Sequence, residues 1–105
     1  MKNNFVLSPS DLSAVQKAVS AMPFYDLDSD LVDYVNMMSL AINEKIATAS
    51  LFSFQELLFV QEAIGYAMDA LQGLEPLDQE HLLELRPYVF TFNSLNDRLS
   101  SSLEQ

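Results

Sequence analysis

The chain has 105 residues and a mass of 11.8 kDa, the size of one domain. It carries 15 acidic against 5 basic residues, a formal net charge of -10, with half the residues hydrophobic, 2 glycines and no cysteine. That balance excludes a disordered chain, a disulfide scaffold and a Cys-ligated metal, and it argues against direct nucleic-acid binding, which draws its affinity from Lys and Arg on phosphates.

No run of residues reaches the length of apolar sequence that spans a membrane, and Phe5-Val6-Leu7 is too short for a signal peptide's apolar region. The missing cysteines fit a reducing compartment, so the cytoplasm is the expected location. Residues 1–7 are expected to be a short flexible lead, and 101–105 a fraying polar tail.

The first helix is predicted over 9–22. Ser8 offers a hydroxyl cap, Pro9 suits the first helical position and Asp11 the third, while Leu12, Val15, Val19 and Met22 repeat at helical spacing as one narrow stripe. Pro23 ends it. The acids Asp26, Asp28 and Asp30 suit the positive end of a second helix over 29–47, whose core stripe is Leu31, Val35, Met38, Ile42 and Ile46.

A third helix is predicted over 53–72. Ser53 and Glu56 form a capping box, Phe52 is placed to staple onto Leu57, and Gly73 supplies the left-handed residue that stops the helix. Its core line is Leu57, Val60, Ile64, Met68 and Leu71. A second line, Phe59, Ala63, Tyr66 and Ala70, adjoins it, so this helix is either central or half of an interface. The last helix is predicted over 78–101. Its stripe of Leu82, Leu85, Val89, Phe92, Leu95 or Asn96, and Leu99 stays in phase across Pro87, which implies one helix kinked there; the alternative is a break near Arg86.

Short connections and the lack of period-two alternation make this an all-α protein, a small antiparallel four-helix bundle. Leu12-Ser13-Ala14-Val15-Gln16-Lys17-Ala18-Val19 matches Leu57-Leu58-Phe59-Val60-Gln61-Glu62-Ala63-Ile64, each after a serine cap. Two related helix hairpins would give that pattern, as would two unrelated amphipathic helices with similar caps.

Chemistry finds little purchase. Asp26, Asp28 and Asp30 resemble the opening of a calcium loop, but Leu31 and Met37 stand where such a loop needs glycine and glutamate. His81 is the sole histidine. With Asp78, Glu80 and Glu84 it is the starting point for a metal-dependent helical enzyme, yet one histidine per chain cannot supply a carboxylate-bridged dimetal site or a catalytic triad with convincing neighbours. The expectation is therefore a protein that is not an enzyme and takes no cofactor.

Surplus apolar side chains are the better lead. Met37 and Leu40 project opposite the core stripe of the second helix, between Asp33 and Glu44. Leu83 and Phe90 leave the main stripe of the last. The expected partner-binding residues are thus Asp33, Met37, Leu40, Glu44, Phe59, Tyr66, Leu83 and Phe90. The expected partner is a protein, with an apolar centre and a basic rim, or a second copy in a twofold dimer burying the Phe59–Tyr66 line, and neither nucleic acid nor membrane.

Overall fold

Ser8 and Ser53 open the two helices that fill the middle of the molecule. In the computed structural model, which describes residues 7–103, α1 runs Pro9–Ala21 and α3 runs Phe54–Leu71. Both start in complete capping boxes. The Ser8 hydroxyl accepts from the Asp11 N–H at 3.1 Å while the Asp11 carboxylate accepts from the Ser8 N–H at 2.9 Å. Ser53 and Glu56 repeat the arrangement at 3.2 and 2.7 Å. Each box satisfies two backbone donors that a helix start otherwise leaves open.

The remaining elements are α2 (Ser29–Ala47), α4 (Gln79–Leu85) and α5 (Val89–Leu103), and each of them packs on both α1 and α3. A 3-10 turn, Arg86–Tyr88, joins α4 to α5. Pro87 has no N–H, and its ring opposes the carbonyl four residues back, so the backbone tightens there instead of continuing as α-helix. The side-chain phase survives the turn: Leu85, Phe92, Leu95 and Leu99 are all buried. The result is an all-α bundle of four rods, the last jointed at Pro87, and no strand occurs among the described residues.

α1 differs from its expected narrow stripe. Ala14, Ala18 and Ala21 are buried along with Val15, Val19 and Met22, so this helix is covered on a much wider arc. α3 is central in the same way, with Leu57, Phe59, Val60, Ala63, Ile64, Ala67 and Ala70 buried. Small side chains let neighbouring backbones approach closely, and their burial leaves room for helices on more than one side. Leu31 also departs from expectation. It lies on the core side of α2 by phase but is 43% exposed, because the core beneath α2 begins a turn later at Val35.

At the far end, α5 continues to Leu103, which packs partly buried against the core as Leu7 does. Residues 101–103 are thus helical rather than part of a fraying tail. The rest of the expected flexible ends, 1–6 and 104–105, lies outside the described residues.

α2 and α3 stop by the same device. The Leu74 N–H donates to the Asp69 carbonyl at 2.8 Å and the Gly73 N–H to Ala70 at 3.1 Å; the Ser50 N–H donates to Lys45 at 2.9 Å and the Ala49 N–H to Ile46 at 3.3 Å. Both are Schellman motifs, which need a left-handed residue just past the helix end. Gly73 meets that need with φ 79°, whereas Ala49 does so with φ 54° and bears a Cβ that crowds its own carbonyl. A Cβ added at Gly73 would meet nothing within 4 Å, so the penalty there is purely conformational. Ala49→Gly should therefore raise stability by about 0.5–1 kcal/mol and Gly73→Ala lower it by about 1 kcal/mol, both read from urea midpoints. A loss of stability in Ala49→Gly would contradict the strain.

Candidate functional site

The outward face of α2 gathers four of the residues that the sequence singles out. At 100° per residue Asp33, Met37, Leu40 and Glu44 fall within an arc of about 60°, on the side opposite the buried Val35, Met38 and Ile42. All four are exposed, Met37 at 58% and Leu40 at 72%. Asp30, seven positions before Met37 and also exposed, extends the acidic edge. Asn36 and Asn43 line the other side.

No cation answers these carboxylates from the same helix. The basic residue of α2 is Lys45, and its ammonium is committed to α3: Nζ lies 3.0 Å from Glu56 Oε1 and donates to the Leu51 carbonyl at 3.1 Å. Glu56 is thereby held by Ser53 at the helix start and by Lys45 across the α2–α3 corner. α2 contributes 3 buried residues from 19, against 8 from the 18 of α3, so this ion pair fixes a helix that the core grips lightly.

The other expected site residues divide. Phe59 is 1% exposed and belongs to the core, where it meets Tyr34 edge-on with ring centroids 5.9 Å apart. It is therefore absent from any outer surface, because its side of α3 is covered by neighbouring helices. Tyr66 is partly buried and tilts against Tyr25 at 5.0 Å. The Tyr25 phenol is pushed up by burial, with Glu75 and Tyr66 adding to the effect. Leu83 and Phe90 are exposed, Phe90 at 85%, but the α5 face around Phe90 carries Asn93, Ser94 and Asp97, also exposed. Single exposed apolar residues are ordinary; the adjacent pair on α2 is the informative case.

His81 is bonded to its own helix start. Its Nδ1 is 2.7 Å from Asp78 Oδ2 and its backbone N–H donates to Asp78 Oδ1 at 2.9 Å, so Asp78 caps α4 through main chain and ring together. These bonds hold the Asp78 carboxyl below its usual range, that from the backbone N–H foremost. Phe24, from the 3-10 turn after α1, stacks on the imidazole at 4.0 Å, a contact between distant segments that no local pattern signals. Among the described residues no three His, Asp or Glu side chains converge as a metal ion would require. Among them too, no helix is long and apolar enough to cross a membrane.

Comparison with family models, with curated proteins and with solved structures finds no match for this chain.

The electrostatics that hold α2 in place have a pH signature. Burial raises the Glu56 carboxyl, but the Ser53 N–H and the Lys45 ammonium outweigh it, and the net position is below the ordinary 4.5. Asp11, opposed by burial and favoured by Arg98 and Ser8, likewise lies below 3.8. A depressed folded-state value means that the unfolded chain binds the proton more readily. The stabilisation is complete above the ordinary values and drains away as pH falls through and below them. The stability gap between the wild type and Glu56→Gln should therefore be constant near neutrality and narrow between about pH 5 and pH 3 in urea titrations. A gap that is independent of pH would contradict the depressed carboxyl.

Proposed function

We propose that this protein is a non-enzymatic binding module that docks a partner protein through the outward face of α2. The observation that carries this reading is the exposure of Met37 and Leu40 side by side, bracketed by Asp33 and Glu44, on a helix whose opposite side is seated in the core. A soluble domain gains nothing in its own stability from two large apolar side chains in water, and desolvating them contributes only when another surface covers them. Methionine suits such a face because its flexible, polarisable thioether adapts to the shape it meets. The net charge of -10 adds long-range attraction toward a basic partner and speeds encounter, an effect that salt screens within a Debye length of about 8 Å at physiological ionic strength.

The test is the double substitution Met37→Ser/Leu40→Ser. Both positions are on the surface, so the two substitutions together should lower stability by no more than about 1 kcal/mol, chiefly through the weaker helix propensity of serine. Capture of the native partner from host extract should be lost, while Leu83→Ser/Phe90→Ser should capture as the wild type does. Unchanged capture by the Met37/Leu40 variant would overturn the assignment of this face.

A further inference from the structure

We infer that the partner element seated on α2 is a basic amphipathic helix, with Lys or Arg at two positions eleven residues apart and apolar side chains at the fourth and seventh positions between them. This inference rests on the docking face proposed above and names its occupant.

The shape of the face selects the element. Asp33, Met37, Leu40 and Glu44 follow one another at intervals of four, three and four on a single helix, a strip about 16 Å long at 1.5 Å rise per residue. Such a strip is one ridge wide. The surface that covers a ridge with two apolar side chains and little else is the i, i+3, i+4, i+7 face of another helix laid along it.

The charges select its sign and exclude a second copy of this chain. A twofold axis placed between Met37 and Leu40 would set Met37 against Leu40 of the other subunit, which is favourable, but it would also set Asp33 against Glu44 twice. Asp30 would add to the same edge. Like carboxylates brought together at the rim of an apolar contact repel, and Lys45 is held by Glu56 and Leu51 rather than placed between them. A helix with cations four residues outside its apolar pair, laid antiparallel, would instead meet Asp33 and Glu44 with opposite charge while its two apolar side chains cover Met37 and Leu40. An anionic lipid surface is repelled by the same carboxylates.

The experiment uses the full chain and a labelled synthetic helical peptide carrying Lys at positions i and i+11 and Leu at i+4 and i+7, followed by fluorescence anisotropy. Binding should weaken at least about tenfold for Met37→Ser/Leu40→Ser and for Asp33→Lys/Glu44→Lys. A peptide with Glu in place of both Lys should bind the Asp33→Lys/Glu44→Lys variant and not the wild type, a swap that mere misfolding cannot produce. Three results would overturn the inference: equal binding of a scrambled peptide of the same composition, indifference to the charge reversal, or Met37-dependent self-association of the wild type in light scattering. If the peptide fails while Met37→Ser/Leu40→Ser still abolishes capture of the native partner, the docking face stands and only its occupant is wrong. If neither the peptide nor native capture responds to that variant, the docking face itself falls.

Discussion

Ala14, Ala18, Ala63 and Ala67 have no solvent exposure, and they lie on the two helices, α1 and α3, against which every other helix is packed. Methyl side chains at these positions keep neighbouring axes close, and the larger Val15, Val19, Phe59, Val60 and Ile64 fill the space between them. The arrangement divides the molecule into a central pair and flanking helices. The central helices are covered on wide arcs, and the arcs they leave to solvent are mostly polar, with Ser13, Gln16 and Ser20 on α1 and Gln55, Glu62 and Asp69 on α3. A flanking helix buries one side and necessarily presents the other, and on α2 that other side carries Met37 and Leu40.

The two central helices share one further device. In each, the capping-box acid is buried and receives a base from the C-terminal part of a flanking helix: Asp11 from Arg98 of α5 at 2.8 Å, Glu56 from Lys45 of α2 at 3.0 Å. Exchanging α1 with α3 and α2 with the α4–α5 rod maps one ion pair onto the other, a pattern that two related helix pairs would give and that two unrelated helices with similar caps would give as well. Each acid joins a helix start to a distant helix end, so the pairs set how the rods meet more than how strongly they adhere. Breaking one would leave a buried carboxylate, whose cost is desolvation rather than a lost attraction.

Local chemistry was readable in the residues themselves. Ser8-Pro9-Ser10-Asp11 and Ser53-Phe54-Gln55-Glu56 state their capping boxes outright, and Gly73 states its left-handed turn. The outward placement of Met37 and Leu40 follows from phase alone. What escaped was whatever depends on a distant neighbour. The alanines of α1 carry too little apolar weight to register as a stripe, yet they are wholly covered. Phe59 reads as surplus until α3 is known to be packed on more than one side, and Leu31 reads as core until the core is known to stop short of it. Arg98 pairs with Asp11, 87 residues away in sequence, which no local pattern signals.

The central claim is that α2 is seated by Val35, Met38 and Ile42 and turns Met37 and Leu40 to solvent. Nature has placed a reporter of that rotation in two adjacent residues, since Met37 is 58% exposed and Met38 is 6% exposed. Mild peroxide treatment of the folded protein, followed residue by residue by mass spectrometry, measures it directly, because sulfoxide formation tracks exposure of the sulfur. Met37 should oxidise well ahead of Met38 and of the buried Met22, with the helical circular dichroism unchanged. Oxidation of Met38 together with Met37, or before it, would show that α2 does not present this face.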